Sequence, residues 1–184
     1  LSLALNIKLT QVLYEYFKSP FFLTFAKIRK HFPNNLPDFD TNHFHYDDNV
    51  SPSTPFVKVF VPLQPSFSDA DGKFSCIPRS MIRNESIINE SGFFDSDNFL
   101  LSDFFDSSEI VSPSIQVGDI FIASTTKVLH KGTKPIGKDR ILISFNYCTV
   151  PEYGLASSPL KVHHDNLSSL TDSQIQYLKH LTFV

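Results

Sequence analysis

Tryptophan is absent from this 184-residue chain, methionine occurs once, and there are only two cysteines. Cys76 and Cys148 stand far apart, without the Cys-x-x-Cys spacing of a thiolate metal site. Two isolated thiols suit a reduced, intracellular protein, and a cytoplasmic location is expected. An excess of positive charge is missing too. A net charge of −3 argues against a nucleic-acid partner, because a phosphate backbone demands massed Lys and Arg. The basic residues between Lys27 and Lys30 read as a solvated helix face. No apolar run approaches the length of a membrane span, and the apolar start Leu1 to Leu5 has neither the basic lead nor the cleavage signal of a secretory leader.

What is present is phenylalanine. Nineteen Phe and six Tyr favour pleated, half-buried surfaces and point to a β-rich domain. Residues 1–184 are enough for one domain with its own core, and no internal repeat or second domain is visible. Residues 7 to 31 read as helix in two pieces, with Leu13, Tyr16 and Phe17 at helical spacing and Ser19-Pro20 as the break. From Thr41 the period becomes two. Strands are expected at Thr41 to Asp47, Phe56 to Leu63, Lys73 to Ile77 after the Asp69–Gly72 turn, Asp119 to Ser124, Lys127 to His130 and Arg140 to Val150. Between them, residues 79–112 mix Ser, Asn and Asp with embedded Phe, the composition of a partly helical excursion that serves as a lid. Thr171 and Gln174 make a capping box, with Leu170 and Ile175 as its staple, so a helix is expected to about Leu181.

The chemistry centres on His45-Tyr46-Asp47. On a strand, residues two apart share a face, so His45 and Asp47 can reach one ion. Two imidazoles and one carboxylate on one side of non-haem iron(II) leave the opposite side open. His130, at the end of the later strand pair, is the candidate third ligand. Arg140 then opens the apolar strand Ile141 to Phe145. A buried guanidinium is costly unless it meets an anion, and its planar fork suits a carboxylate. Ser144, two pleats on, faces the same way.

The segments HFHYDDN…PFVKVFVPLQPSFSDADGKFSCIPRS and GDIFIASTTKVLHKGTKPIGKDRILISFNY resemble, in order and spacing, the two site-bearing stretches of the phytanoyl-CoA dioxygenase family. The resemblance implies a double-stranded β-helix (jelly-roll) core flanked by helices. It implies iron ligation by His45, Asp47 and His130, and 2-oxoglutarate bound through Arg140; Ser144, on Arg140's strand face, is placed to assist the same carboxylate. The implied reaction is hydroxylation of a C–H bond of a small organic molecule by O₂, with release of succinate and CO₂. Asp47 at the carboxylate position favours hydroxylation over halogenation. Pro78-Arg79-Ser80-Met81 stands where the family often has Pro-Gly-Ser-His, which touches substrate contacts rather than metal, and the stretch before His45 is short for the family.

Other readings stand beside these. His43 either backs the ligands, touches substrate or is structural. Lys58 either meets an anion inside the fold or carries its amine to an edge. His163-His164-Asp165 repeats the H-x-D spacing but follows Pro159 in a polar stretch without a partner strand, and Asp48 points away from Asp47's face. A jelly-roll binding module without turnover is the alternative function; a cupin-like metalloenzyme without 2-oxoglutarate leaves Arg140 unexplained.

Overall fold

The computed structural model describes residues 2–34, 42–47, 54–66, 68–150, 161–162, 167–178 and 182–183. Helix α1 spans Ile7–Phe17. Asn6 caps it, its side chain accepting from the Lys8 amide at 3.0 Å. Leu9, Leu13 and Phe17, four residues apart, form its buried face. The helix ends at Lys18, whose left-handed backbone (φ 54°) returns its N–H to the Tyr14 carbonyl.

The second expected helix is not there. After Pro20 the chain runs as strand β1, Phe22–His31. The reason lies in its side chains: Phe22, Thr24 and Phe25 favour a pleated surface, and Lys27, Arg29 and His31 alternate with Ala26, Ile28 and Lys30. Strands β2 (Phe56–Pro62), β3 (Phe74–Pro78), β4 (Phe121–Ala123), β5 (Val128–Gly132) and β6 (Arg140–Cys148) fall within a residue or a few of where the sequence puts them. The 41–47 strand is different: Thr41 lies outside the described residues, and 42–47 begins in a turn and a bend and forms β-bridges only at His45, with Phe93 on one side and His130 on the other.

The fold is mainly β and jelly-roll-like. A four-stranded antiparallel sheet, in the order β1-β6-β2-β4, lies across from an antiparallel pair, β3-β5. Alternation divides the large sheet's two faces. Leu23, Val57, Val59, Val61, Phe145 and Tyr147 pack with α1 into one core. The opposite face carries Lys58 and Phe60 of β2 and Arg140, Leu142, Ser144 and Asn146 of β6. A second core gathers Phe44, Tyr46, Ile77 and Leu129 with Ile87, Phe94 and Phe105. Those last three come from the 79–112 excursion, which is built of short 3₁₀ turns at Arg79–Met81, Glu85–Ile87, Leu101–Asp103 and Ser107–Glu109.

Near the end, the capping box forms as expected: Thr171 N–H donates to Gln174 Oε1 at 2.9 Å, and Gln174 N–H to Thr171 Oγ1 at 3.3 Å. It opens helix α2 (Asp172–Ile175), which tightens into a 3₁₀ turn, Gln176–Leu178; residues 179–181, where the helix was expected to run on, lie outside the described residues. Strands β7 (Lys161–Val162) and β8 (Thr182–Phe183) pair in parallel. No helix among the described residues is long and apolar enough to cross a membrane.

Candidate metal centre

His45, Asp47 and His130 come together between the two sheets, each offering one ligand atom, with all three atoms within 4.8 Å of one another. Asp47 Oδ1 stands 4.0 Å from His45 Nε2 and 3.9 Å from His130 Nε2. The backbone makes this meeting. His45 and His130 exchange both N–H···O bonds at 2.9 Å, and the Asp47 amide donates to the Thr125 carbonyl at 3.1 Å. So β5 positions His130, and the 45–47 segment, though not a regular strand, is pinned beside it.

Both rings are oriented by the same device. His45 Nδ1 donates to the His43 carbonyl at 2.9 Å, and His130 Nδ1 to the Val128 carbonyl at 3.1 Å. A carbonyl oxygen only accepts, so Nδ1 carries the proton and Nε2 keeps its lone pair free. Aromatic rings hold the imidazoles flat: Phe93 stacks on His45 at 5.2 Å and Phe74 on His130 at 5.5 Å. Phe74 in turn meets Phe121 of β4 and Phe60 of β2, carrying the contact to the large sheet. This is where part of the phenylalanine excess goes.

Asp47 is mostly buried. Burial opposes its ionisation, but Lys58, whose Nζ lies 2.6 Å from Asp47 Oδ2, together with His130 and the Thr125 hydroxyl, outweighs that and holds the carboxyl below its usual range. Burial also pushes His130 down to about 4; Asp47 pulls the other way without reversing it, while His45 and Lys58 add to the fall. At neutral pH His130 is therefore the neutral imidazole that binds metals. The donor set fits iron(II). On an octahedral face with bonds of about 2.1 Å, donor atoms stand roughly 3 Å apart, so a contraction of about 1–2 Å brings these three onto one ion.

Arg140 sits at the start of β6. One terminal nitrogen donates to the carbonyls of Gly72 and Thr133, and its Nε is buried without a hydrogen bond. Burial, then the charge of Arg29, lowers its pKa to about 10, so it stays cationic at neutral pH. Among the described residues no carboxylate pairs with it. Ser144 is buried on the same face, opposite Lys27 of β1 and Phe60 of β2. His43 contributes its carbonyl to the His45 ring. His163, His164, Asp165 and Asp48 lie outside the described residues.

Sequence reasoning missed three features. His31 is register partner of Arg140, and its buried Nε2 has no hydrogen bond; the alternation of Lys27, Arg29 and His31 was the signal. Phe74 and Phe93, which back the two imidazoles, and the Nδ1 anchors have no local sequence signature.

No protein-family model matches the sequence, and no curated protein matches it. Solved structures share its fold. HygX from Streptomyces hygroscopicus, with nickel, 2-oxoglutarate and hygromycin B bound, superposes with a TM-score of 0.60 at 19% identity, over 80% of this chain and 64% of HygX. A nickel complex of ThoJ, a non-haem monooxygenase, gives 0.52 at 10% identity, over 86% of this chain and 58% of ThoJ. AviO1 from Streptomyces viridochromogenes Tue57 gives 0.51 at 17%, over 82% and 61%. The chain thus spans less than two thirds of the length of these neighbours, and at such identities the likeness is one of fold.

Proposed function

We propose that this chain is an iron(II)- and 2-oxoglutarate-dependent oxygenase of the phytanoyl-CoA dioxygenase type that hydroxylates a C–H bond of a small organic molecule. The observation that carries this is the convergence of His45 Nε2, Asp47 Oδ1 and His130 Nε2, with both Nδ1 protons committed to backbone carbonyls. HygX, which shares the fold, holds iron in one structure and nickel with 2-oxoglutarate in another.

In this reading His45, Asp47 and His130 hold the ion on one side. Iron(II) there would couple the decarboxylation of 2-oxoglutarate by O₂, giving succinate and CO₂, to hydroxylation of substrate. Arg140 supplies the fixed cation for the far carboxylate of 2-oxoglutarate. Its guanidinium is oriented by the Gly72 and Thr133 carbonyls and lacks a carboxylate among the described residues, so a bound dicarboxylate would relieve an uncompensated buried charge. Ser144 adds a hydroxyl on that face. Phe60, Phe74 and Phe121 keep the approach to His130 apolar. The 79–112 excursion, which backs His45 through Phe93, is the proposed cover over the site.

Anaerobic addition of iron(II) and 2-oxoglutarate tests this. Wild-type protein is expected to develop the weak visible charge-transfer band of the chelate, and Arg140→Ala to need at least tenfold more 2-oxoglutarate for it. No band from wild type would leave a jelly-roll binding module instead. A band indifferent to Arg140→Ala would remove Arg140 from its role.

A further inference from the structure

We propose that Lys58 is a positioning residue that takes one oxygen of Asp47 out of play, so that the carboxylate offers the metal a single oxygen and one more coordination position stays open. The inference rests on the iron-site reading above and goes beyond it to how the carboxylate ligand is used.

The two oxygens of Asp47 have different neighbours. Oδ1 faces His45 Nε2 and His130 Nε2 at 4.0 and 3.9 Å. Oδ2 is turned to Lys58 Nζ at 2.6 Å. Lys58 is not a surface lysine that happens to reach inward. It lies mid-strand in β2, opposite Asn146 of β6 and Ala123 of β4, on the inner face of the large sheet, and its side chain is only 21% exposed. Ordering a lysine there costs side-chain entropy and desolvation, and an ion-paired carboxylate offsets both. The backbone at Asp47 is fixed independently by the Thr125 carbonyl, so the carboxylate cannot swing freely away from either side.

The consequence for a metal is stereochemical. A carboxylate with both oxygens free can close on an ion through two bonds, as flexible sites allow. A chelating co-substrate and O₂ together need three positions opposite the three protein donors. With Oδ2 held by an ammonium group, one oxygen is left for the ion and those positions remain. The same cation sits close to the metal position, so Lys58 does not strengthen metal binding; it shapes it.

Cobalt(II), added alone and anaerobically, reads this out, because its visible bands report the kind and arrangement of its donors. Lys58→Met keeps the length of the side chain and removes the charge. The variant is expected to bind cobalt at least as tightly as wild type, to show altered visible bands as the second carboxylate oxygen replaces a water at one of the open positions, and then to bind 2-oxoglutarate about tenfold more weakly, the scale at which loss of a group behind a metal ligand is felt. Lys58→Arg, which retains the charge and the donors, is expected to restore the wild-type spectrum and 2-oxoglutarate affinity. A Lys58→Met cobalt spectrum superimposable on wild type overturns the proposal, including the case where only 2-oxoglutarate affinity falls, which would make Lys58 a direct contact of the co-substrate. An Arg variant that behaves like the Met variant also overturns it. Failure of wild-type protein to bind cobalt would bring down the iron-site reading and this inference with it, whereas normal wild-type binding with an indifferent Lys58→Met removes this inference alone.

Discussion

At the scale of single residues, the candidate site was legible wherever identity and spacing suffice. His45, Asp47, His130 and Arg140 stand out because few residue types do their chemistry. What identity does not carry is the state each group is held in, since that depends on carbonyls and charges from other strands. His31 illustrates it. Burial, then the charges of Arg140 and Arg29, push its pKa down to about 4. In the unfolded chain a histidine titrates near about 6.5, so between those values the unfolded state holds more protons and stability falls as pH is lowered. Above about 6.5 this contribution is complete and flat. His31→Gln is therefore expected to lose less of its thermal midpoint than wild type between neutral pH and the low end of that window. Parallel midpoint curves for the two proteins would refute the assignment, since carboxylate titration is common to both.

At the scale of elements, β2, β3 and β6 were legible because their alternation or apolar run is clean and their ends are marked by turn residues. β1 was not. Its Leu, Lys and Arg suit a helix as well as a strand, and only its pairing with β6 along nine register positions decides the matter. The turn before β3 shows how an element reaches the site. Gly72 closes the 3₁₀ turn with φ +76°, and a Cβ there would lie 2.9 Å from the Thr133 carbonyl oxygen and 3.2 Å from a terminal nitrogen of Arg140. Backbone cannot yield as a flexible side chain does. Gly72→Ala is expected to cost about 1–3 kcal/mol in urea unfolding, from the left-handed backbone and the clash together. Its carbonyl also accepts from Arg140, so on the proposed function 2-oxoglutarate binding should weaken in protein that is still folded. Unchanged stability and binding in the variant would mean that the turn relaxes without moving Arg140.

At the scale of the whole molecule, the site lies between two cores with different jobs. One joins α1 to the outer face of the large sheet. The other packs the 79–112 excursion on Phe44 and Tyr46, the residues that flank His45. Composition could announce neither division, because phenylalanine serves both cores and the imidazole stacks as well. The division makes a prediction that separates stability from function. Leu13 and Ile87 are both fully buried, and truncating either to Ala is expected to cost about 2–5 kcal/mol. Leu13→Ala loosens the helix from the far face of the sheet and should leave metal affinity near wild type while the protein remains folded. Ile87→Ala opens a cavity beneath the segment that carries His45 and Asp47, so cobalt affinity should fall about tenfold, the usual response when support behind a metal ligand is lost. Urea midpoints and cobalt titrations on the same samples decide it. Equal losses of affinity in the two variants would show that the cores act as one, and that the excursion contributes bulk stability rather than holding the ligands in place.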